Sequence, residues 1–147
     1  IGDGAAMGEI LQALTSAGPE ATEKISFEIT ETIALASPAI AKTFSQGMRD
    51  LGCRVALDDF GTGYGAFTEL RNLDLDALKI DQSFVQNILD DRGDERAVKT
   101  IVLIAREYGL TTVAEGVESE AVLERLAELG ADRAQGYLFS KPQPVIW

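Results

Sequence analysis

The segment RVALDDFG, residues 54–61, places an apolar run directly before two adjacent acids. Four other apolar runs end in polar side chains in the same manner, delivering Glu28, Lys79, Glu115 and Gln135. Helical patterns separate these runs, which predicts parallel strands joined by helices in an α/β fold. Because the carboxyl ends of parallel strands meet at one edge of a sheet, we expect these side chains to gather there around a metal site.

Composition limits the functions that the chain can have. Its 147 residues carry a net charge of −11, with no histidine and one cysteine, Cys53. The acidic balance argues against a DNA or RNA partner, although bound divalent cations can reverse the sign of an acidic cleft. The lack of histidine excludes Ser-His-Asp triads and His-rich zinc sites. Cys53 is expected to be a free thiol that packs in the core of a protein in a reducing compartment. No apolar stretch is long enough to span a bilayer, so no membrane contact by this segment is expected.

Periodicity and turn residues predict strands and helices in alternation. The strands are expected over residues 24–30, 53–58, 77–80, 111–115 and 133–139, and the helices over 5–17, 38–51, 66–72, 83–90, 95–108 and 118–129. Residues 18–20 are expected to form a loop. Two architectures fit this order: a doubly wound open sheet, and an incomplete (β/α)8 TIM-type barrel with about three further strands before Ile1.

Several acids are candidate functional residues, and each also has a simpler structural interpretation. Asp58 and Asp59 point to opposite faces while the strand stays regular, so they are expected to converge only where the strand gives way to a loop. Two ionised neighbours favour a bound cation, and a simple turn is the alternative. Glu28 needs a partner or a metal unless it is exposed on an edge strand. Glu31 is expected in the following loop, either solvated or accepting backbone N–H bonds from another loop.

The third and fourth strand ends carry further candidates. Lys79 can orient a water or stabilise a phosphate oxygen if it points into an acidic cleft, and a surface lysine is the alternative. Asp81 is expected to cap the next helix rather than to bind a ligand. Glu115 is the better site candidate of its segment, because Glu118 fits an acid in the first turn of a helix.

Five short strings occur in a fixed order along the chain. They are EITE at 28–31, DDFGTGY at 58–64, LKID at 78–81, AEGVE at 114–118 and QGYLFSKP at 135–142. Together they closely resemble the EAL domain, the bacterial phosphodiesterase of cyclic di-GMP, over about residues 24–144. The resemblance implies a (β/α)8 barrel that hydrolyses cyclic di-GMP to linear pGpG with two Mg²⁺ or Mn²⁺ ions. Two-metal chemistry of this kind lowers the pKa of water and requires no histidine base.

The resemblance also implies roles for individual residues. The catalytic residues would be Lys79, which would orient the attacking water, Glu115 and Asp59. The metal ligands would be Glu28, Asp58, Asp59 and Glu115. Glu31 would anchor the loop 61–65. The surrounding shell or substrate contacts would be Gln135, Glu118, Gly61, Thr62 and Gly63.

This sequence departs from the family pattern in three places. The Glu-Ala-Leu signature and an upstream asparagine ligand are absent, and Gly65 and Ala66 replace the usual serines of the glycine-rich loop. Residues 1–147 are therefore expected to be the C-terminal portion of a single EAL domain. The parent would be cytoplasmic, with an upstream sensor or diguanylate cyclase (GGDEF) domain, and any membrane anchor would also lie upstream.

An isolated portion of this kind has expected properties of its own. It would be inactive or weak, and its unpaired sheet edges would favour a homo-oligomer. A different class of function stays open: a degenerate, non-catalytic EAL module that acts as a nucleotide- or protein-binding scaffold. An unrelated doubly wound nucleotide binder is a third interpretation, and it would place its ligand at a reversal of strand order.

Overall fold

The computed structural model describes residues 4–62 and 70–141, with side chains from Met7 onward. The strands are β1 (Ser26–Thr30), β2 (Arg54–Phe60), β3 (Ala77–Ile80), β4 (Thr111–Ala114) and β5 (Arg133–Ala134). The helices are α1 (Gly4–Ala17), α2 (Pro19–Thr22), α3 (Glu31–Ala36), α4 (Pro38–Asp50), α5 (Gln82–Gln86), α6 (Arg92–Glu107) and α7 (Glu120–Leu129). Residues 70–72 are also helical.

The five strands form one sheet in the order β1-β2-β3-β4-β5, and all the pairs are parallel. Each strand therefore lies beside its neighbour in the sequence. A doubly wound sheet reverses its strand order at one point, whereas the wall of a (β/α) barrel does not. The sheet among the described residues has no such reversal, which decides between the two predicted architectures in favour of the barrel.

The two faces of the sheet have opposite character. Alternate residues such as Ile29, Leu57 and Leu78 are almost fully buried in the apolar core that the helices share. Residues of the other parity, among them Glu28 and Lys79, line an open cavity of about 1190 Å³. Helices on one face and a polar concave surface on the other are the features of a barrel wall.

Two aspartates connect neighbouring strands at the amino-terminal edge of this sheet. Asp76, just before β3, accepts a hydrogen bond from the Val55 N–H of β2 at 2.9 Å. The Asp132 side chain, just before β5, accepts hydrogen bonds from the N–H and the hydroxyl of Thr112 on β4, both at 2.8 Å. The Asp132 N–H donates to the hydroxyl oxygen of Thr112 at 2.9 Å. These bonds satisfy backbone groups at strand ends and help to fix the strand register.

Most of the predicted elements are present, and several boundaries are wrong. Residues 18–20 do not form only a loop, because Pro19 starts the short helix α2. Glu31 is not in a loop but is the first residue of α3, whose N-cap Thr30 accepts a bond from the Ile33 N–H at 3.4 Å. The predicted helix 83–90 ends at Gln86. Part of the predicted helix 66–72 lies outside the described residues.

Two further boundaries differ for visible reasons. The sixth helix begins at Arg92 rather than at 95, because the Asp91 side chain caps it and accepts bonds from Gly93 and Asp94. The fifth strand was predicted to reach Phe139 but ends at Ala134. There the chain turns, with the Phe139 N–H bonded to the Gly136 carbonyl at 3.1 Å.

Candidate metal centre

Lys79 lies at the centre of a group of carboxylates at the carboxyl edge of the sheet. Its ammonium nitrogen is 2.8 Å from Glu28 of β1, 3.1 Å from Asp58 of β2 and 2.7 Å from Glu115, which follows β4. The Lys79 side chain is only 7% exposed. Four strands of a parallel sheet thus bring distant residues together, and Lys79 is not the surface lysine of the alternative interpretation.

The protonation of Lys79 follows from this environment. Burial alone would lower the pKa of the ammonium, because it disfavours the charged form. The hydrogen bonds to the carboxylates, that of Glu115 first, outweigh burial and raise the pKa above the usual lysine value. The carboxylates therefore favour the protonated form of Lys79.

A one-residue bulge brings Asp58 and Asp59 to the same place. Leu57 pairs with Leu78 and Phe60 pairs with Ile80, so the two acids of β2 stand opposite the single residue Lys79. Asp59 has φ 57, which makes it the one non-glycine residue with positive φ in the described part of the chain. The prediction was that the acids converge where the strand gives way to a loop. They converge inside β2 instead, because this left-handed residue interrupts the alternation of side chains.

Three of the carboxylates are arranged as a candidate cation site. One oxygen from each of Asp58, Asp59 and Glu115 lies within 4.8 Å of the others. Burial raises the pKa of Asp59, and the Asp58 charge adds to it. The pKa of Glu115 is raised, by burial first, even though Lys79 opposes the shift. The raised pKa values show that it is unfavourable to keep these carboxylates ionised side by side without a cation. Carboxylate oxygens are the ligands that Mg²⁺ and Mn²⁺ prefer, so the residues present fit a hard divalent cation.

Glu31 contacts the loop that follows these acids. Its Oε2 accepts a hydrogen bond from the Gly61 N–H at 3.1 Å, although Glu31 belongs to a helix and not to the predicted loop. The residue is 2% exposed, and its other carboxylate oxygen is buried with no hydrogen-bond partner among the described residues. Thr62 of the same loop bonds back to the Asp59 carbonyl, through its hydroxyl at 2.9 Å. Gly63, also predicted to contribute, lies outside the described residues.

A second, smaller cavity of about 330 Å³ adjoins the carboxylates. Asp59 and Glu115 line it together with the predicted residues Glu118 and Gln135. Asp81 lines it as well while acting as the expected helix cap, accepting a bond from the Ser83 N–H at 2.9 Å. The sequence contained a signal that Asp81 lies near the site, because residues 79 and 81 of one extended segment point to the same face.

The parallel sheet has its strands in the order of the sequence and its helices on one face, and it carries acids and a buried lysine at its carboxyl edge. These features define a (β/α)-barrel domain with a candidate metal centre. The EAL domain family model matches residues 1–142, and the chain belongs to this family.

Relatives and solved structures agree with this assignment. The chain is 44% identical over 138 residues to "Cyclic di-GMP phosphodiesterase PdeF" of Escherichia coli, covering 94% of this chain and 18% of that protein. It is 36% identical over 139 residues to "Cyclic di-GMP phosphodiesterase RocR" of Pseudomonas aeruginosa, covering 95% of this chain and 36% of that protein. The crystal structure of the FimX EAL domain from P. aeruginosa bound to c-di-GMP superposes with a TM-score of 0.85 at 31% identity, covering 96% of this chain and 57% of that one. The chain thus spans well under half the length of both named phosphodiesterases.

Within the described residues, no helix combines the length and the apolar character that crossing a bilayer requires.

Proposed function

We propose that this chain supplies the water-orienting lysine and part of the metal site of a phosphodiesterase that hydrolyses cyclic di-GMP to linear pGpG. The observation that carries the proposal is the contact of Lys79 with Glu28, Asp58 and Glu115, next to the three-carboxylate cation site. The relatives named as cyclic di-GMP phosphodiesterases support the substrate.

The charge of the site supports two cations rather than one. The carboxylates of Glu28, Asp58, Asp59 and Glu115 against one ammonium leave a formal excess of three negative charges. One divalent ion would still leave the site negative, and it would repel the single negative charge of a phosphodiester. Two divalent ions would make it positive by one charge. When bound, Mg²⁺ or Mn²⁺ would supply charge neutralisation at the phosphate and a lower pKa for water.

Lys79 has a definite requirement if it is to orient the attacking water. An ammonium carries three N–H donors, and three carboxylate oxygens lie within 3.1 Å of the Lys79 nitrogen. A water can therefore be held by Lys79 only when at least one carboxylate releases it. We propose that a carboxylate turned toward a cation frees this donor, so that metal binding and water positioning are coupled.

Other residues of the proposed site surround these groups. Glu118 and Gln135 line the cavity beside Asp59 and Glu115, where they would contact the substrate or the residues that hold the cations. Glu31, through Gly61, would keep the following loop, including Thr62 and Gly63, next to the acids. The hydrogen bond that Glu31 accepts from the Gly61 N–H, at 3.1 Å, supports this anchoring role.

We also propose that residues 1–147 are the C-terminal portion of one EAL domain in a longer cytoplasmic protein with an upstream sensor or diguanylate cyclase domain. The share of each relative that the chain covers supports this arrangement. The outer edge of β1 has no strand partner among the described residues, so the isolated chain would associate with itself through this edge.

A chimera tests the proposed function without knowledge of the upstream sequence. This chain replaces the matching 138 residues of the Escherichia coli relative, to which it is 44% identical. Conversion of cyclic di-GMP to pGpG is measured by chromatography with Mn²⁺ or Mg²⁺ present. The variants Lys79→Met and Asp59→Asn are compared with Lys42→Met, which changes an exposed lysine on α4.

The expected result is activity in the chimera and in its Lys42→Met variant, and a loss of at least a hundredfold in the other two. The 147-residue chain alone is expected to be inactive or far slower. Cyclic di-GMP binding without any hydrolysis by the folded chimera would contradict the enzyme proposal and favour the non-catalytic scaffold. Turnover by the isolated chain at the rate of the full relative would contradict the partial-domain proposal.

A further inference from the structure

The backbone of Asp59 is in a conformation that is uncommon for a residue with a side chain. Its φ of 57 lies in the left-handed region, which costs free energy for a residue with a Cβ. Such conformations persist only where the surroundings enforce them. The position of the Asp59 carboxylate, one of three in the cation site, therefore depends on what holds the segment that follows.

Polar contacts restrain one side of this segment. The Gly61 N–H donates to Glu31 at 3.1 Å, and the Thr62 N–H and hydroxyl donate to the Asp59 carbonyl at 3.4 and 2.9 Å. These bonds fix the N–H of Gly61 and the carbonyl of Asp59. They do not restrain the side of Gly61 on which a Cβ would lie.

Two apolar side chains occupy that side. A Cβ built on Gly61 would lie 3.1 Å from Cδ1 of Ile101 and 3.3 Å from Cε2 of Phe84. Ile101 is buried on α6 at 4% exposure, and Phe84 on α5 is half-buried. Gly61 itself has φ +100, and a side chain there would have to displace Ile101 and Phe84 by a few tenths of an ångström.

Phe84 is well placed to transmit the position of β3 to this loop. It lies three residues after Asp81, and its N–H donates to the Asp81 carbonyl at 3.2 Å. The unit formed by β3, Asp81 and α5 thus carries Lys79, Asp81 and the ring that lies beside Gly61. We propose that Phe84 is a positioning residue: its ring closes the space beside Gly61 and keeps Asp59 left-handed, with its carboxylate in the cation site.

This inference rests on the proposed metal site and adds a residue that does not touch it. Shortening Phe84 to alanine would open space beside Gly61 and allow Asp59 to relax toward ordinary φ values. Its carboxylate would then leave Asp58 and Glu115. Loss of an outer residue that orients a metal ligand typically lowers metal affinity by about 10- to 100-fold.

The test compares two half-buried phenylalanines. Phe84→Ala removes the ring beside Gly61, and Phe84→Leu keeps most of its bulk. The matched control is Phe44→Ala, since Phe44 is a half-buried ring on α4 that packs edge-to-face on Phe27 with centroids 5.7 Å apart. Mn²⁺ affinity of the 147-residue chain is measured from the electron paramagnetic resonance of free Mn²⁺. Amide hydrogen exchange at Gly61, measured without metal, reports the loop independently, and circular dichroism checks folding.

The expected result for Phe84→Ala is Mn²⁺ binding weakened about tenfold and Gly61 exchange accelerated about tenfold. Phe84→Leu would restore most of both, and Phe44→Ala would change neither by more than about twofold. Equal effects of Phe84→Ala and Phe44→Ala, or none from Phe84→Ala, would overturn the proposal. If no variant binds Mn²⁺, the proposed metal site fails, and the exchange at Gly61 still decides whether Phe84 positions the loop. If Phe84→Ala does not fold, Phe84→Leu against Phe44→Ala decides on the same two readouts.

Discussion

The removal of the Lys79 charge is the perturbation whose effect the structure defines best. Lys79→Met keeps the apolar stem and leaves Glu28, Asp58 and Glu115 without their shared cation. Breaking a fully buried ion pair costs about 3–5 kcal/mol. The carboxylates here are 47%, 18% and 21% exposed, so water screens part of their repulsion. We therefore expect a loss of about 2 kcal/mol, or about 6 °C in Tm for a domain of this size.

Thermal unfolding in the presence of EDTA, followed by circular dichroism, measures this loss. Added Mn²⁺ should stabilise Lys79→Met more than the wild type, because the cation replaces the missing positive charge among the acids and binds only the folded state. The matched control is Lys42→Met, an exposed lysine on α4. A Tm for Lys79→Met within about 1 °C of this control in EDTA would refute the reasoning. So would a gap that saturating Mn²⁺ leaves unchanged.

Three further predictions concern the fold around the site. The hydrogen bond from the Thr112 N–H lowers the pKa of Asp132 in the folded state. The ionised carboxylate therefore stabilises the fold above the pKa of the unfolded state, and this contribution is lost as the pH falls through the folded value. Asp132→Asn should reduce the loss of Tm on acidification below about pH 4. Gly61→Ala should lower stability by about 1–2 kcal/mol in urea unfolding, because φ is +100 and Ile101 would be 3.1 Å away; an unchanged midpoint would contradict this. The isolated chain should sediment as an oligomer at tens of micromolar, and a monodisperse monomer would argue against association through β1.

The sequence predicted the architecture because its signals were strong and local. Apolar runs ending in acids, separated by helical patterns, are sufficient to predict parallel strands and the edge where Lys79 and Glu115 meet. The choice between open sheet and barrel needed strand order, which depends on long-range pairing that periodicity does not encode. The resemblance to the EAL domain implied the barrel, and the sequential order of β1 to β5 agrees with it.

Details of the site were harder to predict where the backbone departs from regular geometry. The alternation rule placed Asp58 and Asp59 on opposite faces, and the bulge with φ 57 at Asp59 was not visible in the residue types. Glu31 was expected in a loop because it follows a strand directly. Its place in α3 depends on the Thr30 cap, a short-range signal that the pattern contained. The proximity of Phe84 to Gly61 brings together positions 23 residues apart and has no local signature.

Crystals of this chain soaked in Mn²⁺ would test the central claim most directly, through anomalous scattering at the manganese absorption edge. We expect a peak at the carboxyl edge of the sheet within bonding distance of the carboxylate oxygens of Asp58, Asp59 and Glu115, and its loss in an Asp58→Asn, Glu115→Gln variant. Peaks confined to other surface acids, or no peak at all at a Mn²⁺ concentration that saturates binding in solution, would contradict it.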